Sequence, residues 1–272
     1  MKIGIQGTIG SFHYEVAKNL FGENNEFIEC MDFSEIPILL KENKIDKGVM
    51  AIENTIAGSI LPNYALIDEY DLYIDSEYYL NIKHHLMALP GQKIADIQEV
   101  WSHPMALLQC RKFFRDYPHI KLVEAKDTAE MAKIIQHQKL KNIAAIAGYE
   151  AASIYKLEII AESIETNKDN ATRFVVLEKK NTNIKEQFDK VSLRFKLPHQ
   201  PGSLVNILQI FKDFNLNMTK LQSIPIIDKP WEYAFFVDLL ISNHEQYQIA
   251  MYKVLQQVIE FKILGEYTNA IH

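Results

Sequence analysis

Across its first 180 residues the chain alternates short runs of β-branched and apolar residues with stretches whose apolar positions recur every three or four residues. Parallel strands need a helical crossover, so this alternation predicts βαβ units and an α/β architecture built on mostly parallel sheets. Residues 2–6, 26–30 and 48–52 are expected strands, with helices over 14–21 and 34–42 between them and Ser34 as the cap of the second. A second series follows, with strands over 99–102, 121–124 and 142–147 and helices over 104–115 and 128–138. Between the two series, residues 71–89 are rich in Tyr, Ile and Leu, which suits extended segments crossing between two lobes. A last strand over 172–177 is expected to return to the first lobe and set its leading loop at the hinge, where ligands of such folds bind.

From residue 178 to 190 the chain turns polar and loses any apolar period, as a connector does. A separate unit is expected beyond it: a strand over 191–197, a helix over 203–214, strands over 218–225 and 231–240 joined around Asp228-Lys229-Pro230, a helix over 244–260 and a strand over 262–267. Leu204, Ile207, Leu208, Phe211 and Phe214 would share one face of the first of these helices. The order βαββαβ is the ferredoxin-like split pattern. The expected domains are therefore 1–180, with lobe one over 1–78 plus 168–180 and lobe two over 79–167, and then 190–272.

Composition closes off several classes of partner. The net charge of −6 comes from interspersed charges, and no basic stripe exists to neutralise a phosphate backbone, so no nucleic acid is expected. The opening residues are too short and too glycine-broken for a signal segment and no apolar run is long enough to span a bilayer, so no membrane is expected and the expected location is cytoplasmic. Cys30 and Cys110 lie far apart without a C-x-x-C pattern and are expected as buried free thiols. Of the nine histidines only His84 and His85 are adjacent, and strand neighbours face opposite ways, so no metal is expected.

Candidate chemistry sits at the loop entering the last strand, Asn170-Ala171-Thr172-Arg173-Phe174. The Thr172 hydroxyl could hand a proton to a leaving group, while Arg173 could either face an anion or pair with an acid inside the lobe. Asn54 to Ser59 would lie between a strand and a helix, where an amide, the Thr55 and Ser59 hydroxyls and backbone N–H groups could hold a carboxylate; helix capping by Asn54 or Thr55 is the other reading. Ser102 precedes His103-Pro104 and is expected as a helix cap with its hydroxyl at the cleft edge, and His103 as structural. Gln109 would share the azimuth of Ser102, roughly 10 Å farther along. Gly4 to Gly10 spells GxxGxxG rather than GxGxxG, which argues against a dinucleotide; Gly7 is better used for close backbone approach to a ligand, with Thr8 and Ser11 lining the same pocket.

Taken together these motifs resemble the prephenate dehydratases with a C-terminal ACT regulatory domain, over essentially the whole chain. Gly7-Thr8-Ile9-Gly10-Ser11-Phe12 is similar to the family's opening turn, Ala51 to Ser59 to its Pro-Ile-Glu-Asn-Ser signature, Ser102-His103-Pro104 to its Ser-His-Pro element and Thr172-Arg173-Phe174 to its most diagnostic tripeptide. The resemblance implies a two-lobed catalytic domain like the type II periplasmic binding proteins, followed by a ferredoxin-like ACT domain. It implies conversion of prephenate to phenylpyruvate, carbon dioxide and water without a cofactor, with Thr172 as the donor, Asn54 and Gln109 at the substrate and Glu53 structural or regulatory. Met105 departs from the family's usual glutamine. Pro201-Gly202-Ser203-Leu204-Val205 resembles the ACT turn that would hold phenylalanine at the interface of a homodimer or homotetramer. Where the family often has Glu-Ser-Arg-Pro, this chain has Gln222-Ser223-Ile224-Pro225, which loses both charges and puts sensitivity to phenylalanine in doubt. An arogenate-preferring enzyme and a non-catalytic amino-acid-sensing protein are the alternatives.

Overall fold

A computed structural model of the chain describes residues 1–180, 187–226 and 232–270. Internal contacts divide the chain into two units, Met1–Ser59 with Tyr79–Phe174, and Ile60–Tyr78 with Val175–His272. In the first unit β1 (Lys2–Gln6) pairs in parallel with both β2 (Glu26–Cys30) and β3 (Lys47–Asn54), the crossovers being α1 (Phe12–Phe21) and α2 (Glu35–Lys41). Ser11 caps α1 by accepting from the Tyr14 N–H at 3.2 Å. Ser34 does not cap α2 as expected, because its own N–H and hydroxyl both turn to Asp32 Oδ1, at 2.9 and 2.8 Å. A carboxylate two residues back outcompetes the helix for that serine.

The two-residue β4 (Gly58–Ser59) folds back on the end of β3, and α3 (Leu61–Glu69) and β5 (Leu72–Asn81) follow. The second sheet holds β6 (His85–Ala88), β7 (Glu99–Ser102), β8 (Lys121–Glu124), β9 (Ile143–Ala147) and β10 (Glu158–Ala161), in the order β10-β6-β9-β7-β8. Its helices are α4 (Pro104–Cys110), α5 (Thr128–Gln138) and α6 (Tyr149–Tyr155). This sheet is mixed: β7 runs parallel to β8 and β9, but β6 is antiparallel to β9 and β10. Ala144 and Ile146 of β9 join one apolar cluster with Val100 and Leu107, whereas Ala145 and Ala147 join another with Ala132 and Ile135. Burial on both faces explains the unbroken apolar run of β9. The chain then enters β11 (Ala171–Lys179), which completes the first sheet in the order β2-β1-β3-β11-β5.

Sequence patterning missed α3, α6, β4 and β10, and it extended α4 to residue 115, where a 3₁₀ turn over Phe113–Asp116 stands apart. Helix α3 has no Ser, Thr, Asp or Asn cap; Ile60 holds that position and Pro62 sits in the first turn, where a missing N–H is harmless. Cys30 and Cys110 are free and fully buried, and burial pushes both thiols up to about 12. No described helix is long and apolar enough to cross a membrane.

The second unit contains β12 (Lys190–Lys196), α7 (Ser203–Asp213), β13 (Asn217–Pro225), β14 (Tyr233–Leu240), α8 (His244–Leu255) and β15 (Glu260–Tyr267). Its antiparallel sheet, ordered β13-β14-β12-β15, has the ferredoxin-like βαββαβ connectivity. The expected turn at Asp228-Lys229-Pro230 lies outside the described residues. Helix α8 ends at Leu255 rather than 260, since Glu260 already pairs with Lys196 in the sheet.

Every residue of β12 is buried. Val191, Leu193 and Phe195 pack with Ile207, Phe211, Ala250 and Val254, while Lys190, Ser192, Arg194 and Lys196 alternate to the other face. There α3 and β5 supply carboxylates: Lys190 Nζ sits 2.9 Å from both oxygens of Glu77, and Asp68 takes Arg194 at 3.0 Å and Lys262 at 2.7 Å. Packing on this face is tight enough that a Cβ on Gly265 would collide with the Ile74 carbonyl. Gly265→Ala is therefore expected to lower stability by about 1–3 kcal/mol, the usual size of an overpacking penalty. A urea unfolding midpoint equal to that of the parent chain would contradict this packing.

Candidate active site

All the residues expected at the Thr172 cleft fall in the first unit. Asn54 ends β3, and its Oδ1 accepts from the backbone N–H groups of Ile56 and Ala57 at 3.0 and 2.9 Å. With that oxygen held by an Asx turn, the amide nitrogen must face the other way. Asn54 Nδ2 donates to Asn170 Oδ1 at 2.7 Å and to Thr172 Oγ1 at 2.9 Å, with Ala171 O at 3.3 Å. Asn170 is fully buried; its own Nδ2 donates to Gln109 Oε1 at 3.0 Å, and the same oxygen lies 2.8 Å from His84 Nε2. A single hydrogen-bonded row therefore joins Thr172, Asn54, Asn170, Gln109 and His84.

Thr172 occupies a receiving place in this row. Its oxygen accepts from Asn54, and its hydroxyl hydrogen has no acceptor among the described residues. A hydroxyl has one hydrogen to give, so this one is left for a ligand. Gln109 is similar: its oxygen takes two partners, and its amide nitrogen has none among the described residues. Thr172 and Gln109 thus leave donors and no net charge at the site.

The turn after Asn54 departs from expectation. Its N–H groups are not open to an anion, because Ile56 and Ala57 donate to Asn54 and Thr55 N donates to Ala171 O at 2.9 Å. The Thr55 hydroxyl donates to Asp169 O at 3.1 Å and accepts from Ala171 N at 3.0 Å, which staples this turn to the loop before β11. Neither Asn54 nor Thr55 caps a helix; Ile60 holds the cap position of α3, and Ser59 pairs with Glu53 in the β4 ladder.

Ser102 is also corrected. It ends β7 fully buried, and its hydroxyl donates to Ile146 O at 2.7 Å instead of standing at a cleft edge. His103 is the residue that caps α4, its Nδ1 accepting from Met105 N at 3.2 Å. Ser102 is therefore not on the helix that carries Gln109, and the shared azimuth does not apply. Arg173, at 3% exposure, follows Thr172 on the strand and so faces away from it.

The loop of Gly7, Thr8 and Ser11 is held by backbone needs. Gly7 has φ +86°, a conformation that favours glycine, and a Cβ there would stand 2.8 Å from Asp127 Oδ2, so that carboxylate would have to shift. Thr8 and Ser11 are 3% and 4% exposed, and Ser11 Oγ is engaged at the α1 cap. Phe12, the first residue of α1, meets the His84 ring edge-on at 5.7 Å, which ties the helix behind this loop to the row. His84 and His85 do face apart: His84 meets Gln109, whereas His85 Nδ1 accepts from Ser163 N at 3.3 Å. Asn170 and His84 are the members that patterning missed. Asn170 had a signal, lying two residues before Thr172; His84 had none.

In the second unit, Gly202 holds the cap position of α7 at φ +86°, with Pro201 before it and Ser203 starting the helix. A cavity of about 180 Å³ is lined by Leu197, Gln200, Ser203, Leu204, Tyr233 and Phe235 among others. Ser203 and Leu204 thus reach it. Pro201, Gly202, Val205, Gln222 and Ser223 do not; Val205 is 64% exposed, and Gln222 Nε2 donates to Ser223 O at 2.9 Å on β13.

The family model described as prephenate dehydratase matches residues 3–182. A bifunctional chorismate mutase/prephenate dehydratase from Aquifex aeolicus (strain VF5) is 31% identical over 273 residues, covering 100% of this chain and 74% of that one. Arogenate dehydratase/prephenate dehydratase 2, chloroplastic, from Arabidopsis thaliana is 31% identical over 281 residues, covering 98% and 72%. Among solved structures, a prephenate dehydratase in complex with L-Phe from Arthrobacter aurescens superposes with a TM-score of 0.88 at 23% identity, over 99% of this chain and 90% of that one.

Proposed function

The chain belongs to the prephenate dehydratase family, a family of hydro-lyases, and from that premise we propose that it converts prephenate to phenylpyruvate with Thr172 as proton donor to the departing hydroxyl. One observation carries this reading: the Thr172 hydroxyl accepts from Asn54 and keeps its hydrogen for a ligand.

Prephenate loses its ring carboxylate as carbon dioxide. The electron pair of that C–C bond moves into the ring, and the C–O bond on the opposite side breaks as the ring becomes aromatic. The leaving oxygen needs a proton to depart as water, and Thr172 supplies it. Asn54 Nδ2 then stabilises the charge left on Oγ1 until solvent returns the proton. No base is required, because decarboxylation supplies the electrons. The free amide hydrogens of Gln109 serve a carboxylate of the dianion. Thr55, Ser59 and Ser102 shape the turn and strand ends, and Gly7, Thr8 and Ser11 form the neighbouring loop. Residues 1–180 carry catalysis in this reading and 190–272 carry regulation.

The relatives include an arogenate dehydratase, so a preference for arogenate, with an amino group in place of the keto group, is the second reading. Rates of the purified chain on prephenate and arogenate, side by side, test both. A higher kcat/KM on prephenate is expected; the reverse order would transfer the assignment, and no turnover of either would end it.

Phenylalanine is the proposed effector. The L-Phe held by the Arthrobacter aurescens protein and the cavity beside Ser203 and Leu204 support this; a homodimer or homotetramer is the assembly proposed with it. Saturating phenylalanine is expected to lower turnover at least about fivefold, the lower end of ordinary allosteric coupling. An unchanged rate would remove phenylalanine as the effector of this chain. The two buried free thiols support work in a reducing compartment, the cytoplasm.

A further inference from the structure

The polarity of the row can be followed from one fixed end to the other. Two backbone N–H groups, of Ile56 and Ala57, cannot turn round, so Asn54 Oδ1 faces them and Asn54 Nδ2 faces inward. Asn170 must then present oxygen to Asn54 and nitrogen to Gln109. Gln109 must present oxygen to Asn170, and that same oxygen meets His84 Nε2 at 2.8 Å. A carbonyl oxygen only accepts, so His84 Nε2 must carry a hydrogen.

We propose that His84, held as the Nε2–H tautomer, is a positioning residue that locks the Gln109 amide with its nitrogen outward, so that Gln109 and Thr172 offer their donors to one ligand. The inference rests on the dehydratase reading for the identity of that ligand, and on geometry alone for the tautomer. The opposite tautomer would set two lone pairs against each other. Relieving that by turning Gln109 would oppose its NH₂ to that of Asn170, and turning Asn170 would oppose it to Asn54, which the backbone holds. The conflict has no exit within the row.

His84 Nδ1 fits this assignment. It is buried and without a partner among the described residues, as a bare acceptor would be, and His84 as a whole is 4% exposed. Burial also holds the ring's pKa below the ordinary histidine range, which favours the neutral form. A buried acceptor left unsatisfied is unusual unless the other nitrogen's bond demands it. Phe12 closes one side of the ring edge-on, and the His84 backbone N–H is fixed by Glu165 Oε2 at 2.8 Å, so the ring has a defined seat.

Two substitutions separate positioning from mere filling of space. In His84→Gln a side-chain N–H can stand where Nε2 stood; in His84→Asn the amide reaches only the place of Nδ1. The Gln variant is expected to keep kcat within about threefold of the parent, and the Asn variant to lose about tenfold or more, at similar thermal midpoints for the two variants. Equal rates in the two variants would overturn the inference. Nitrogen-15 spectra of the full chain give a readout that does not need turnover: His84 should show a protonated Nε2 and a bare Nδ1 near neutral pH. An Nδ1–H signal would overturn the inference even in an active enzyme. A parent chain inactive on prephenate and arogenate would defeat the dehydratase reading while the spectra still decide the tautomer.

Discussion

Replacing Thr172 by alanine is expected to lower turnover of prephenate by at least about 100-fold, the lower end of what a positioned proton donor contributes. Thr172→Ser keeps a hydroxyl on the same carbon, within reach of Asn54 Nδ2, and is expected to retain much of the rate. The contrast isolates the hydroxyl from the methyl group. Because Thr172 is largely buried at 8% exposure, the alanine variant must also be shown to unfold near the parent's midpoint, so that lost rate is not lost fold. Steady-state phenylpyruvate formation measures all three proteins. Equal activity in the alanine and serine variants would remove Thr172 from the chemistry.

The second large effect concerns the Lys190–Glu77 pair, whose side chains are 2% and 0% exposed. Glu77 also accepts from the Ala270 N–H at 3.0 Å, so its carboxylate anchors both β12 and the chain after β15. Taking one charge from a buried pair leaves the other desolvated without its counter-ion. Glu77→Ala is accordingly expected to lower stability by about 3–5 kcal/mol in denaturant unfolding. The double change Glu77→Leu with Lys190→Met should recover most of that loss, since two apolar chains of similar volume need no counter-ion. A double variant no more stable than Glu77→Ala would contradict the buried-charge account and assign the loss to the hydrogen bonds that the Glu77 carboxylate accepts, such as that from Ala270 N–H.

The elements were legible wherever a periodic apolar face met an apolar core. α5 and the βαββαβ order follow from their own residues, because burial on one face writes a period into the chain, whereas β1, buried at Ile3, Gly4 and Ile5 in succession, is legible as a short apolar run. The charged face of β12 was not legible in the same way. Lys190-Val191-Ser192-Leu193-Arg194-Phe195-Lys196 has the alternation of a strand with one face in water, yet both faces are buried. What covers the polar face is Asp68 and Glu77, and the latter lies 113 positions away. Only tertiary pairing decides whether such a face is wet. The same distance limits the site. Asn54 and Thr172 are 118 positions apart, and composition names no partner for either, although the family motifs flagged both. Ser102 shows the converse error: Ser-His-Pro carries a true helix start, but the histidine does the capping and the serine closes a strand. The roles of Asn170 and His84 depend on which atom of an amide faces which neighbour, and that is settled by the Ile56 and Ala57 N–H groups in the folded turn.

The most direct test is a crystal structure of the Thr172→Ala variant with prephenate bound, in which slow turnover preserves the substrate. The expected result has the ring hydroxyl beside residue 172, within about 3 Å of where Oγ1 would stand, and a carboxylate against Gln109 Nε2. A ring hydroxyl pointing away from residue 172, or prephenate bound elsewhere on the chain, would contradict the assignment of Thr172 as the donor.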